Sequence, residues 1–289
     1  MTLTNSVDER ARAQGRVRRE LLVGLIRKDL KVKYQGSILG FLWSLANPLV
    51  LLLVYSFVFQ VVLKAGIPQF GFFLLSGLLV WNAFAGSVNV ATDAVVGNAG
   101  LVKKVRMPLN VLPLTAVGFQ AVHFGLQLLV LIGAMLLTGY TAFLGPGLLL
   151  IAPALVVTLM LSVGLCYLVA ALNVRYRDTK HIVEIVLMAG FWVNPIVYSV
   201  SLVSKSLSAR SDWLYTLYYL NPMSGVVTSM QRALYAKDVT PRGGRPVLAD
   251  PGYLFYLERL GLGAAVSVLV LWWGLRTYHR LSADFAEEL

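Results

Sequence analysis

The chain has 289 residues, 57% of them hydrophobic and only 13% charged, with a mean hydropathy of +0.71. Soluble domains carry about 25% charged residues, so a water-soluble globular fold is excluded. The single cysteine, Cys166, excludes a disulfide framework or a cysteine-based metal site. The net charge of +11 fits either a nucleic-acid surface or a membrane protein with one basic side, and its distribution along the chain decides between them.

Residues 1–17 are polar and read as a flexible N-terminus. Residues 18–36 read as an amphipathic interfacial helix. Leu21, Leu22, Leu25, Ile26, Leu30 and Val32 share a broad apolar arc, with Arg27, Lys28 and Lys31 opposite. Asp29 and Lys33 interrupt the arc at a spacing that lets them pair. Such a helix lies flat among the inner headgroups. Its charged face suits a cytoplasmic partner equally well.

Six long apolar runs follow, at 41–63, 70–91, 109–137, 147–172, 182–200 and 254–275. About 20 helical residues cross a hydrocarbon core of ~30 Å. The only charged side chains inside the runs are Glu184, Glu258 and Arg259, all near a segment end. Backbone in lipid must satisfy its own hydrogen bonds, and these continuous runs are not the alternating strands of a barrel. The expected fold is therefore an all-α integral membrane protein. It has six transmembrane helices in one domain over 37–276, with a cytoplasmic tail at 277–289. No cleavable signal is expected, because the first apolar run is too long and starts too late.

Lys and Arg then place the ends. The connections on the side of the termini carry 17 basic residues, against 7 on the other side. This is the positive-inside pattern, so both termini are expected in the cytoplasm, with anionic lipid rather than nucleic acid facing the basic side. The inner connection 92–108 mixes turn residues with Leu101, Val102, Lys103, Lys104 and Arg106. The second, 173–181, is short and charged. The outer stretch 200–252 carries Trp213, several tyrosines, Asn221-Pro222 and a helix-like segment containing Arg232. Its pieces are too short to span, so re-entrant or interfacial helices are expected between spans five and six.

Much chemistry is missing. No Gly-Lys dipeptide occurs, hence no phosphate loop, and ATP has to be bound by another polypeptide. The spans lack the mid-membrane carboxylates of ion-coupled carriers. His123 is the lone ionisable candidate there, and a hydrogen-bonded packing role suits it best. His181 and His279 lie at inner ends, so no metal cluster is expected. Asp93, Asp178, Asp212, Asp238 and Asp250 are scattered without paired spacing, which argues against a membrane-embedded glycosyltransferase. No catalytic residue is assigned.

Four ordered stretches carry a resemblance. The first is Arg27-Lys28-Asp29-Leu30-Lys31-Val32-Lys33-Tyr34 with Ser37-Ile38-Leu39-Gly40-Phe41-Leu42-Trp43 and Asn47-Pro48. The second is Asn98-Ala99-Gly100-Leu101-Val102-Lys103-Lys104-Val105 with Pro108 and Pro113. The third is Leu172-Asn173-Val174-Arg175-Tyr176-Arg177-Asp178 with His181-Ile182. The fourth combines Asn194-Pro195-Ile196-Val197-Tyr198, Asn221-Pro222-Met223 and Arg232. Together they resemble the membrane permease subunit of type II ATP-binding-cassette exporters. The similar branch exports lipid-linked polysaccharides such as O-antigen and teichoic acid. Met107 and Thr179 depart from its usual residues.

The resemblance implies a homodimeric channel in the bacterial cytoplasmic membrane, docked on two ATPase subunits that bind ATP and Mg. It implies a coupling helix near 94–106, built on Asn98, Gly100, Leu101, Val102, Lys103, Lys104 and Arg106. Arg175, Arg177 and Asp178 would make a second cytoplasmic contact, or simply anchor their loop at the headgroups. Arg27, Lys28 and Lys31 mark the interfacial helix, and Trp213, Asn221, Pro222 and Arg232 an outer gate. A glycan needs aromatic faces and uncharged hydrogen-bonding groups. Candidate channel residues are therefore Trp43, Asn47, Tyr55, Phe59, Phe191, Trp192, Asn194 and Tyr198, although aromatics in spans also serve as lipid-facing packing. A permease exporting drugs or small lipids is the alternative of the same class.

Overall fold

The computed structural model describes residues 2–36, 42–62, 67–104, 108–203, 213, 217–235, 247–248 and 252–289. Among them the regular structure is helical throughout. The principal helices are α1 (Thr2–Tyr34), α2 (Leu42–Ser56), α3 (Phe70–Thr92), α4 (Ala99–Lys104), α5 (Val111–Leu137), α6 (Ile151–Arg175), α7 (Thr179–Val193), α8 (Pro222–Leu234), α9 (Tyr253–Leu281) and α10 (Phe285–Glu288). Phe41, residues 63–66, Arg106 and residues 204–212, 214–216, 236–246 and 249–251 lie outside the described residues, as do the side chains of Leu101 and Lys104.

Four described helices are long and apolar enough to cross a membrane: Phe70–Thr92, Val111–Leu137, Pro146–Arg175 and Tyr253–Leu281. The packing has the polarity of a membrane protein. Leu129, Leu137, Leu149, Leu254, Leu269 and Trp273 lie on the outer surface. Buried hydroxyls turn inward to their own backbone: Ser76, Thr158 and Ser267 each donate to the carbonyl four residues back, at 2.6, 2.8 and 2.7 Å. In lipid that arrangement gives each of these hydroxyls a partner within its own helix.

The core is built around α3 and α8. Every residue of α8 is buried, as is α3 from Phe70 to Trp81. The α6–α9 pair crosses at glycines, because a Cβ on Gly274 would fall 2.0 Å from the Gly164 carbonyl oxygen. Small residues at such a crossing let two membrane helices approach backbone to backbone. A second cluster of Val95, Leu112, Tyr167, Val174, Tyr278 and Phe285 closes the end of the bundle where α3, α6 and α9 finish.

Three expectations change. The run 182–200 is not one helix: α7 stops at Val193 and Asn194 is extended, with φ −83° and ψ 146°. Pro195 is the cause, since it disfavours helical geometry in the residue before it and offers no N–H to the helix. At 15 residues, α7 rises about 22 Å. The first apolar run keeps helical form from Leu42 through Pro48 to Ser56, then widens into a π-helical stretch at Phe57–Val62. The amphipathic helix begins at Thr2 rather than near residue 18. No proline interrupts its first 34 positions, and Ala, Arg, Gln and Glu there are strong helix formers.

The end of α1 packs against α5 instead of lying clear of the bundle. Ile26 sits over Gly118, where a Cβ would meet its Cδ1 at 2.3 Å. Tyr34 OH and Lys33 Nζ approach His123 Nε2 at 2.7 and 3.0 Å, while Nδ1 faces the Phe119 carbonyl at 3.0 Å. The set is consistent with a neutral imidazole, Nδ1–H donating and Nε2 accepting. Burial holds Lys33 below the ordinary lysine value. His123 is thus a packing residue that ties α1 to α5.

Candidate functional site

Where α3 finishes, the backbone leaves it through a tight turn. Gly97 N–H donates to the Asp93 carbonyl at 2.7 Å, and Asn98 Nδ2 donates to the Ala94 carbonyl at 2.8 Å. A 3-10 turn at Val96–Asn98 then leads into α4. Val95 is fully buried in the inner cluster and Val102 packs on it, whereas Lys103 is exposed. The next turn is clamped by two tyrosines: Tyr167 OH donates to the Asn110 carbonyl at 3.0 Å, and Tyr278 OH to the Leu109 carbonyl at 2.7 Å. Among the described residues the segment therefore presents Lys103 on a well-packed seat.

Asp93 joins this segment to the connection between α6 and α7. Its carboxylate receives Lys180 Nζ at 2.5 Å and Asn173 Nδ2 at 3.3 Å, and Asn173 also donates to the Thr92 carbonyl at 2.9 Å. The hydrogen bond and charge of Asp93 hold Lys180 above the ordinary lysine value. Arg175, Arg177 and Asp178 are exposed beside it, with the Arg175 guanidinium over the Tyr176 ring at 5.9 Å. Arg27, Lys28 and Lys31 are solvent-facing or half-exposed on α1, and Lys28 is 4.0 Å from Asp29.

On one face of the bundle, α2, α3, α5 and α7 line an open groove of about 520 Å³. It is lined by Asn47 of α2, Asn82, Gly86 and Asn89 of α3, Gln120 and Gln127 of α5, and Trp81, Phe191 and Trp192. Among the described residues no charged side chain contributes. Asn82 and Asn89, like Gln120 and Gln127, are two helical turns apart and so share a face. Gly86 lies between the α3 pair, and a Cβ there would fall 2.1 Å from Gln120 Nε2. That glycine lets the α5 amide reach the groove.

Residues 20–235 match the ABC-2 type transporter family. The chain belongs to that family. An O-antigen export system permease protein, RfbA, of Myxococcus xanthus is 35% identical over 273 residues, covering 94% of this chain and 96% of that protein. A protein of the same description from Klebsiella pneumoniae is 32% identical over 272 residues, 93% and 95% of the two chains. The polysialic acid transport protein KpsM of Escherichia coli is 21% identical over 271 residues, 93% and 96%. The ABC-2 transporter described here is thus a multi-pass membrane protein with a transport role.

Of the channel candidates in this ABC-2 chain, Asn47, Phe191 and Trp192 line the groove; the others do not. Trp43 is exposed on the first turn of α2. Tyr55 and Phe59 pack on the start of α3, Phe59 stacking on Phe70 at 4.2 Å. Tyr198 lies beyond the end of α7 and donates to the carbonyls of Trp192 and Val193 at 3.0 and 2.8 Å. Asn194 is buried and accepts from Asn221 Nδ2 at 3.1 Å and Ser224 Oγ at 3.2 Å. Of the outer residues, Asn221 also caps α8 through Met223 N–H, and Pro222 is its first residue. Trp213 is exposed, while Arg232 is buried over the Tyr253 and Tyr256 rings at 5.1 and 6.0 Å. Sequence reasoning missed Trp81, Asn82, Asn89, Gln120 and Gln127. Amides seven residues apart in two otherwise apolar runs were the available signal.

Proposed function

We propose that this ABC-2 transporter is the channel-forming permease subunit of an exporter of lipid-linked cell-envelope polysaccharide, working in the bacterial cytoplasmic membrane. The observation that carries the reading is the uncharged groove of amides and aromatic rings. Aromatic faces stack on the apolar faces of sugar rings, and carboxamides both donate to and accept from hydroxyls. With no charge in the lining, no strong site traps the chain as it passes. The names of the relatives, O-antigen export permeases and a polysialic acid transporter, support the same substrate class.

In this reading the chain crosses the membrane six times with both termini in the cytoplasm, α2 and the α7 region supplying the two shorter crossings. Two copies form the channel, and two ATPase subunits bind ATP and Mg. The segment 94–106 docks on the ATPase, with Lys103, Lys104 and Arg106 as its cations and Arg175, Arg177 and Asp178 as a second contact. Asn221, Pro222 and Arg232 belong to helices at the outer mouth. A cysteine at Ser208 is expected to react with an impermeant thiol reagent in intact cells, and one at Ala99 only after permeabilisation. The reverse labelling would overturn this topology.

One observation favours a second reading, export of a drug or small lipid. An adjoining cleft of about 360 Å³ between α3, α6, α7, α8 and α9, which shares Trp81 and Leu187 with the groove, is lined mainly by apolar residues, among them Phe84, Leu165, Val186 and Val270. The deciding experiment is the location of the envelope glycan in cells lacking this chain. Polysaccharide export predicts that the finished glycan accumulates inside and returns to the surface on complementation. Normal surface glycan in the deletion strain, with altered resistance to apolar compounds, would favour the second reading.

A further inference from the structure

Neither Asp93 nor Lys180 has a charge suited to its own helix. Asp93 follows the last residue of α3, and Lys180 is the second residue of α7. A helix C-terminus disfavours an anion and an N-terminus disfavours a cation. At 2.5 Å the two charges compensate one another. Asn173, donating from α6 to the same carboxylate and to the Thr92 carbonyl, fixes its direction.

The far end of α7 is anchored in the buried interior, whereas the ion pair at its near end is half-exposed. Asn194 is 1% exposed. Its Oδ1 accepts from Asn221 and Ser224, and its Nδ2 donates to the Gly190 carbonyl at 2.7 Å. Gln231 Nε2, from the buried helix α8, donates to the Pro195 carbonyl at 2.8 Å. Between Lys180 and Asn194 the helix rises about 21 Å. Its middle supplies Leu187, Met188, Phe191 and Trp192 to the groove.

We propose that α7 is a strut carrying motion of the ATPase-docking segment to the outer helix α8, and that the Asp93–Lys180 pair is its inner joint. Both residues are then positioning residues for export. Neither touches substrate. The inference rests on the reading of 94–106 as the docking segment. A charge-assisted contact at one end and an amide cluster at the other pass a displacement on as a rigid-body shift, because packed elements move between discrete arrangements rather than deforming. A flexible linkage would dissipate it.

The test uses the permease together with its ATPase, reconstituted in vesicles with lipid-linked glycan. Complex recovery, ATP hydrolysis and glycan exported per ATP are compared for wild type, Lys180→Asp, Lys180→Met and the exchange D93K/K180D. Both single variants are expected to recover the complex and support hydrolysis, with export per ATP reduced about tenfold. The exchange restores it, since each helix end then holds the charge it favours and the pair is kept. Undiminished export per ATP in both single variants would overturn the strut. So would an exchange variant as poor as Lys180→Asp, or loss of the complex in the single variants, which would place the pair in the docking surface itself. Failure of the underlying reading shows separately: Lys103→Glu with Lys104→Glu would leave docking intact.

Discussion

Replacing Asn82 and Gln120 by leucine lowers glycan export about a hundredfold while leaving the protein inserted and bound to its ATPase. The two amides line the groove from different helices, α3 and α5, with Gly86 leaving room for the Gln120 amide. Leucine keeps similar bulk and adds no polar atom, so nothing is left unsatisfied when the groove is empty. What is lost is a hydrogen-bonding partner for each sugar passing that point. A loss of ~1.4 kcal/mol per amide, within the ordinary range for one hydrogen bond, gives about tenfold for each. Surface glycan on intact cells, quantified with a glycan-binding probe, reads the effect. Leu129→Ala, on the exposed face of α5, is the control and leaves export at the wild-type level. Undiminished export in the leucine pair would move the glycan path out of this groove.

The second large effect is expected at the inner face. Lys103→Glu with Lys104→Glu removes two cations from α4 and installs two anions. Like charge set against a partner surface costs several kcal/mol, so recovery of the ATPase with the permease falls by orders of magnitude. The rest of the segment keeps its seat, because Val95 and the Tyr167 and Tyr278 clamps lie on its other side. Insertion is unaffected, since the remaining inner connections retain their basic excess. Pull-down of the ATPase from detergent extracts measures the loss. Wild-type recovery would make these lysines topology signals alone.

The apolar runs were legible because a hydrocarbon solvent imposes length and composition on every spanning helix, with little room for local exceptions. The exceptions came where one residue overrides the pattern. Pro195 ends α7 although apolar residues continue to Val200, because a backbone constraint acts regardless of hydropathy. The wholly buried α8 was harder to read. Its Ser, Thr, Gln and Arg side chains look like a surface helix, yet Gln231 and Thr228 find partners inside the bundle. Burial of that kind depends on tertiary partners a local pattern does not encode.

The candidate site divided in the same way. The cationic inner segment could be read from Lys103 and Lys104 beside Asn98 and Gly100, since charge and turn residues act locally. The Asp93–Lys180–Asn173 junction joins three distant parts of the chain. Asp93 looked like one of several scattered carboxylates until the fold paired it. Among aromatics, chemistry alone did not separate Phe191, which lines the groove, from Phe59, which stacks on Phe70. The difference lies in helix rotation, and both residues sit in long apolar runs.

The most direct test of ATP-driven polysaccharide export is transfer of lipid-linked glycan across proteoliposomes. These hold the purified permease, with or without its ATPase, and the glycan arriving on the far leaflet is measured by its accessibility to an impermeant glycan-cleaving enzyme. The account predicts transfer only when both proteins and hydrolysable ATP are present, and none from the permease alone. Transfer that proceeds without the ATPase, or its absence when the complete complex hydrolyses ATP, would contradict it.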